Sequence, residues 1–568
     1  MSKVSFRWRG SCGLFVVLLF FGSVSIAHGQ PDAGSIQKDL EQRQPIELPK
    51  VERFDPTPAE EESVVDDDVT ILVRGFTFFG NTVITSEEMS QLLSPLVGKT
   101  LGFSELETSL GVILNEYNAR DRVADVFLPE QDVTDGIVAV QVLEGVFGLV
   151  DLGEQNLTRI PATRLVGIVT RYQKVGELVA LDRIDRAVLL ADDLAGIRVS
   201  GALSKGEKES ETDLVLSVTE ESPVHFDFSV DNTGLLSTGE YRKTVGAEFR
   251  SLLGFGESVR VGALKTDGIQ YKDIGIGLPL GYFGNRLDVS YSSMSYRLTS
   301  ATYQDLDAYG SSTSLRITDT YALIRSSDRN LYLSATFNRK IFENNSLGSL
   351  SSDYEVSSKE FTLSGNLRDG LGRGGYTSAS LTYIRGFVDL VNSPNFSSDA
   401  TTTDTNGSYG KYELTLQRVQ QLTDDLALRL NYTEQFARKN LDSSEKMYIG
   451  GSSTVRAYPS NEAGGAEGKL LQVSFESASQ NATSRVFYDW GQVRVNRFNT
   501  YSGSEDPNVI KLVGVGIGQE FRFGNNWTFD FQASQRIGIN PNSNDDGNDQ
   551  DGTRHQMRYW ATLRYDWN

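Results

Sequence analysis

Few residues of this chain have the identity and spacing to do chemistry. It has three histidines, His28, His225 and His555, far apart in sequence. A histidine-based metal cluster or a catalytic triad is therefore poorly supported. The single cysteine, Cys12, precedes the apolar run of an N-terminal leader, so the rest of the chain has no thiol or disulfide chemistry. Gly514-Val515-Gly516-Ile517-Gly518 superficially suggests a nucleotide loop, but it sits inside a strand-like segment and no helix follows. The stretch 540–552 is rich in Asn and Asp and offers oxygens to Ca²⁺. It lacks the distal Glu of an EF-hand, and a solvated loop is the simpler reading. No cofactor is called for. What remains is one Arg and one Asp. Gly450-Gly451 leads to Val455-Arg456-Ala457-Tyr458-Pro459 on a long connector, and Phe487-Tyr488-Asp489-Trp490-Gly491 lies in a segment of alternating polarity. Arg–carboxylate contacts are often bidentate and fix geometry. Read alone, an exposed Arg and a solvated Asp account for the same residues.

The elements that must position this pair occupy residues 224–568. Sixteen short segments of alternating polarity begin near Val224, Tyr241, Glu257, Ile269, Asn285, Ser312, Asn330, Ser358, Gly375, Gly407, Asp425, Lys469, Ala482, Lys511, Asn526 and Arg554. The first connector, 232–240, is moderately long and the next, 253–256, is tight. Further tight turns are expected at 326–329, 369–374, 421–424, 479–481 and 524–525, and long loops at 300–311, 343–357, 390–406, 439–468, 496–508 and 540–553. An even strand number with short turns at one end and long loops at the other marks an outer-membrane β-barrel. Side chains alternate between faces along a strand. Val224, Phe226, Phe228 and Val230 thus take the lipid face opposite His225, Asp227, Ser229 and Asp231, and Leu471, Val473 and Phe475 do so opposite Gln472, Ser474 and Glu476. A soluble all-β protein gives no reason for connector lengths to alternate. Some sixteen strands leave an aqueous channel unless something plugs it. On strand 13, Val486, Tyr488 and Trp490 face lipid and Phe487, Asp489 and Gly491 face the lumen. Arg456 falls between strands 11 and 12, on a connector long enough to reach inward.

The N-terminus has the form of an export signal over 1–29: Lys3, Arg7 and Arg9, an apolar stretch from Leu14 to Ala27, then Ala27-His28-Gly29 before the cleavage point. The apolar stretch is too short for a convincing membrane helix. Beyond residue 29 there are 51 basic and 75 acidic residues, a net charge of −24, which argues against nucleic-acid binding. Residues 30–68 are polar and acidic and read as an extended linker. Within it Ser35–Arg43 could form a short helix with Ser35 as N-cap and Ile36 and Leu40 on one face, although such a helix is marginal alone. Residues 69–145 and 146–222 each carry the order strand, helix, helix, strand, strand. In the first unit the strands are 70–75 with 76–79, 124–128 and 137–144. Its helices are 86–93 and a second that starts at a capping box, Ser104-Glu105-Leu106-Glu107. In the second unit the strands are 148–152, 197–203 and 213–219 and the helices 162–171 and 182–193. Both units lie on the N-terminal, short-turn side of the barrel, the periplasm.

The two βααββ units resemble POTRA domains. The stretch 126–145, VFLPEQDVTDGIVAVQVLEG, is similar to the ShlB/FhaC/HecB type of two-partner secretion transporters, as is 194–220. Val455, Arg456, Ala457 and Tyr458 resemble that family's VRGY/F motif on an infolded sixth loop, with Ala457 in place of the usual Gly. Phe487 and Asp489 resemble its F-x-D motif, whose Asp pairs with the loop Arg. The final residue is Asn568 where an aromatic is typical, and Trp567 stands in phase to serve as that aromatic. The resemblance implies two periplasmic α+β POTRA domains followed by a 16-stranded antiparallel barrel at 223–568. It implies an outer-membrane translocator, not an enzyme, that exports and in some members activates one large, unfolded, β-helical exoprotein such as a haemolysin or filamentous adhesin. The POTRA units would catch the substrate by β-augmentation, with candidate edges at Val126 and Leu128 and at Ile197 and Val199. The short helix would be a removable plug, and folding of the substrate outside the cell would drive transport. Implied partners are the exoprotein, outer-membrane lipid and, during biogenesis, the barrel assembly machinery and periplasmic chaperones. The alternatives are a POTRA-containing barrel insertase, disfavoured because that class has more POTRA units, and a passive porin, which lacks such domains.

Overall fold

The computed structural model describes residues 30–42 and 70–568 apart from Glu209, Asn525 and Asn568. The expected leader 1–29, residues 43–68 of the expected linker, Val69 of the first unit, the Arg43 end of the short helix and one residue of the expected 524–525 turn lie outside these.

Sixteen antiparallel strands, from Val224–Asp231 to Met557–Trp567, form a closed barrel. The last pairs with the first from Thr562↔Asp231 to Trp567↔Phe226, and Phe226 stacks on Trp567 with ring centroids 5.6 Å apart. Closure satisfies every strand edge, which a hydrocarbon environment demands. The alternation has the expected sense. Val486 and Ile517 are 60% exposed on the outer face, while Phe487 is 3% and Asp489 0% exposed on the inner one.

The connector pattern needs one correction. The expected loop 343–357 is the tip of a hairpin, because the seventh strand, Arg329–Ser346, and the eighth, Ser349–Asp369, run on to meet at Leu347 and Gly348. Both turn residues have positive φ (52° and 74°), as a tight hairpin turn requires. The Ser and Asn residues that suggested a loop carry the strand alternation inward: Asn344 Nδ2 donates to Ser352 Oγ at 2.8 Å. The connector 266–268 is also short, so the long loops are those after strands 1, 5, 9, 11, 13 and 15.

Each soluble unit is a three-stranded sheet covered by helices. In the first, Gly75–Phe79 runs parallel to Ile137–Glu144, which pairs antiparallel with Ala124–Phe127. Met89, Leu106, Ile113 and Tyr117 from the helices pack on Val138, Val140 and Val142. Thr70–Leu72 stands apart and pairs with Thr100–Gly102. The second helix is N-capped at Gly102, whose N–H donates to Glu105 at 3.1 Å, so Ser104 is not the cap. A capping box does occur one helix earlier, between Thr85 and Glu88. The second unit repeats the plan with Val146–Asp151, Ile197–Lys205 and Glu211–Glu220 under helices Ala162–Tyr172 and Leu181–Asp192. It is docked on the barrel. Asp193 makes a bidentate pair with buried Arg325 (2.8 and 3.0 Å), Arg171 covers the Phe283 ring at 4.1 Å, and Ala322 and Tyr332 of the barrel join the unit's core.

Candidate functional site

The connector 438–466 folds into the lumen. Its stem is a short ladder, Met447–Ile449 against Ala463–Gly465. Gly450 and Gly451 follow at φ 103° and 101°, a region open to glycine and strained for other residues. A side chain on Gly450 would collide with the Pro459 carbonyl. The turn is held by Gly451 N–H to Tyr458 O (3.0 Å) and Tyr458 N–H to Val455 O (3.2 Å). Val455, Ala457 and Tyr458 are completely buried against Leu470, Val493 and Leu512 of the wall.

Arg456 lies between these apolar anchors and meets Asp489 of strand 13, Ala482–Arg494. Nε donates to Oδ2 at 2.8 Å, Nη2 to Oδ1 at 2.6 Å, and the Arg456 backbone N–H to Oδ2 at 3.1 Å. The guanidinium lies over the Phe487 ring at 3.3 Å. The Arg456 carbonyl accepts from Ser534 Oγ (2.6 Å) and Trp560 Nε1 (2.8 Å). Both Asp489 oxygens and the Arg456 N–H, Nε, Nη2 and carbonyl thus have partners, and such hydrogen bonding is what a buried ion pair needs if it is not to destabilise the fold.

Sequence reasoning missed what makes room for this loop. Gly491 opposes Val455, and Gly514 opposes Ala457, whose Cβ would lie 2.5 Å from a Cβ built on Gly514. Gly516 and Gly518 make space for Phe487 and Arg485. The run 514–518 is therefore a receptacle: its glycines all face the lumen while Val515 and Ile517 face out. Three glycines at successive lumen positions are the signal that something must fill the space. The backbone at Ala457 is outside the left-handed region, so the missing Gly does not alter the turn.

The loop 537–556 is folded inward in part: Asn540, Asn542 and Asp549 are buried, while Ile539, Asp545 and Asp546 stay exposed. Arg536 and Arg558 both pair with fully buried Asp549, and Arg558 pairs with Asp551 at 2.7 Å. These acids are thereby engaged by arginines, and among the described residues no acidic or histidine group converges as a metal site. Glu462 of the infolded loop accepts from Asn540 Nδ2 (2.5 Å) and the Gln550 N–H (3.1 Å). Burial pushes its carboxyl up to about 8, with Asp549 and Asp551 adding to the shift and the Asn540 contact opposing it.

A helix, Ala33–Gln42, also packs inside the lumen. Its N-cap is Asp32: Oδ1 accepts from the Ser35 N–H at 2.8 Å, and Ser35 Oγ accepts from the Asp32 N–H at 3.0 Å. Ser35 is therefore the third helical residue and reciprocates the cap. Ala33, Ile36 and Leu40 pack among Met294, Phe342 and Tyr354 of the wall. Lys340 bridges Glu41 of the helix (2.9 Å) and Glu445 of the infolded loop (3.4 Å), while Lys38 lies 3.8 Å from Glu413. Ser443 Oγ of that loop donates to Asp32 Oδ2 at 2.8 Å. Helix and loop thus hold each other as well as the wall.

In the soluble units the expected edges are edge strands, but the named side chains are not available there. Val126, Ile197 and Val199 are buried in their cores and Leu128 packs partly against one. Their outward neighbours are Asp125, Arg198 and Ser200, and the Val199 N–H is already taken by Asp192 (2.7 Å). The opposite edge of the first unit, Gly75–Phe79, borders a cleft lined by Phe76, Phe78, Phe79, Ser86, Glu87 and Ser90. Phe79 is 55% exposed beside it.

A family model described as haemolysin secretion/activation protein ShlB/FhaC/HecB matches residues 210–521, and one for the ShlB-type POTRA domain matches residues 71–145. The heme/hemopexin transporter protein HuxB of Haemophilus influenzae is 25% identical over 559 residues, 95% of each chain. The outer membrane transporter CdiB of Escherichia coli is 26% identical over 295 residues, 50% of this chain and 49% of that one. Among solved structures, CdiB from Escherichia coli matches with a TM-score of 0.67 at 20% identity, covering 91% of this chain and 94% of that one. CdiB from Acinetobacter baumannii gives 0.62 at 18% identity, covering 95% of this chain and 100% of that one.

Proposed function

The chain belongs to the ShlB/FhaC/HecB family of outer-membrane transporters, which have periplasmic POTRA domains and secreted exoprotein partners, and from this premise we propose that it exports one large unfolded exoprotein through its own barrel. The observation that carries the proposal is the content of the lumen. A barrel wide enough for an aqueous channel is closed by a helix and a loop held only by hydrogen bonds, ion pairs and packing. Such a closure can be undone without breaking a strand. In this reading residues 1–29 are the export signal, 30–68 the plug helix and its linker, and the units within 69–145 and 146–222 meet the substrate first. An extended substrate segment pairs with a free strand edge. The Gly75–Phe79 edge, with phenylalanines beside it, suits an apolar segment better than the two edges expected from sequence. Assembly machinery and chaperones act in biogenesis, and the exoprotein folds outside.

The pair Arg456–Asp489 pins the loop in the lumen. Removing one partner of a buried pair costs about 3–5 kcal/mol, because the other charge is left unpaired. Arg456→Ala or Asp489→Ala is therefore expected to lower export and alter single-channel conductance in a barrel that still assembles. Unchanged export and conductance in both variants would remove the role. Deletion of the gene should leave one exoprotein in the periplasm while other outer-membrane barrels form normally, and mass spectrometry of that retained protein identifies the cargo class. General loss of outer-membrane barrels would instead support an insertase.

A further inference from the structure

The outer face of the barrel carries a row of cations that the transport reading does not use. Lys359 on the eighth strand lies directly opposite Arg385 on the ninth, Gly375–Asp389. Arg385 lies opposite Gly410 on the tenth, Gly407–Gln421. Arg438, just beyond the eleventh, Leu426–Ala437, donates its backbone N–H to Gly410 O. Lys359, Arg385 and Arg438 are all exposed. Like charges directly opposite on one face are destabilising, and no carboxylate within pairing distance neutralises these three among the described residues. Several other cations near this level are paired, Arg494 and Arg497 with Glu467 and Lys469 with Glu434, while Lys511 and the opposed Lys243 and Lys265 likewise have no ion pair among the described residues. The acids Glu355 and Asp389 stand four residues farther out, about 13 Å along the strands.

The height of the row is defined. Arg385 is ten residues above Gly375 at the periplasmic turn, which on a tilted strand places it about 25 Å up, at the outer edge of the apolar band. The row immediately below on the same face is Phe361, Tyr383, Tyr412 and Phe436, each opposite the next, with Tyr383 and Tyr412 in ring contact at 4.9 Å. That is an aromatic girdle at headgroup level. Gly410 leaves a notch between Arg385 and Arg438. A Cβ there would have only ordinary contacts, at 3.9 Å, with Arg438 and the Ile384 carbonyl.

We propose that Lys359, Arg385 and Arg438 form a binding site for the phosphorylated headgroup of an outer-leaflet lipid. The phosphate sits over Gly410 between the two guanidiniums, and the acyl chains lie on the aromatic row. Arginine binds phosphate oxygens bidentately, and each basic residue near a membrane surface adds measurably to anionic-lipid affinity.

The test titrates the purified full-length protein in neutral detergent with bisphosphorylated lipid A, with its dephosphorylated form and with inorganic phosphate, and reads bound lipid by native mass spectrometry. Bisphosphorylated lipid A is expected to bind at least about tenfold more tightly than the dephosphorylated form. R385Q/R438Q is expected to lose that preference while keeping the heat-modifiable mobility of a folded barrel. K359R should retain it. Equal binding of both lipids, full retention by the folded double variant, or displacement by inorganic phosphate at the lipid's own concentration would each overturn the site.

Discussion

Ala457 and Gly514 share one space, and that makes their joint substitution informative. A Cβ on Gly514 would meet the Ala457 methyl at 2.5 Å, and overpacking of this kind costs about 1–3 kcal/mol. Gly514→Val should therefore loosen the infolded loop, seen as faster proteolysis within 450–460, and Ala457→Gly in the same chain should restore much of the protection. Lack of rescue would mean that Gly514 serves the strand and not the loop. Glu462 supplies a second handle. Its folded carboxyl is raised to about 8 from an ordinary 4.5, so its contribution to loop docking is full below about pH 4.5 and is lost as pH rises through 8. The groups facing it are Asn540, Gln550, Asp549 and Asp551, with Arg536 and Arg558 behind the acids. Channel openings should become more frequent between pH 6 and 9, and Glu462→Gln should flatten that dependence; a Gln variant with the same pH profile would assign it elsewhere. Strand parity puts Asp489 on the lumen face, but its pairing with Arg456 was implied only by the family resemblance of the two motifs, since an exposed Arg and a solvated Asp account for the same residues when read alone. Glu462 was not legible, since nothing local distinguishes it from any loop carboxylate until Asn540 and Gln550, some eighty residues on, close over it.

The helix Ala33–Gln42 shows why elements differ in how far sequence reveals them. Ten residues make a helix that is marginal in water, and its register and cap shift by a few residues once the lumen supplies partners. Asn344 Oδ1 accepts the Ala33 N–H at 2.8 Å and Ser312 Oγ donates to Gln37, contacts between positions hundreds of residues apart. The hairpin at 347–348 was obscured differently: Ser and Asn residues at its inward positions mimic loop composition. Gly34 tests the helix as an element. It has no room for a side chain, because a Cβ there would strike Ser443 of the infolded loop. Gly34→Val is expected to shift the helix toward its undocked state and raise open-channel probability in planar bilayers, without loss of the folded barrel. A closed channel in that variant would show that the loop alone seals the lumen.

At the scale of the whole molecule, the question is whether the second soluble unit is part of the pore or a domain on a tether. Its contact with the barrel is asymmetric in burial: Arg325 is 2% exposed at its side chain and Asp193 31%. Among the described residues, removing Asp193 leaves a buried guanidinium with Asn330 Oδ1, at 3.2 Å, as its one side-chain hydrogen-bond partner, whereas removing Arg325 leaves a carboxylate that water can reach. Uncompensated buried charge is the costlier outcome, so Asp193→Ala should weaken docking more than Arg325→Ala. The chain has one cysteine, Cys12, so with Cys12 replaced, spin labels introduced at exposed cysteines of the second unit and of a strand top would be unique reporters. A single narrow distance is expected for the parent, a broad one for Asp193→Ala and an intermediate one for Arg325→Ala. If both variants keep the narrow distance, the Arg171–Phe283 contact and the shared core around Ala322 and Tyr332 suffice, and the unit is a fixed periplasmic rim of the barrel independent of this ion pair. If Arg325→Ala is the more disruptive, the guanidinium acts chiefly through its barrel-side contacts, and the rim is organised from the barrel outward.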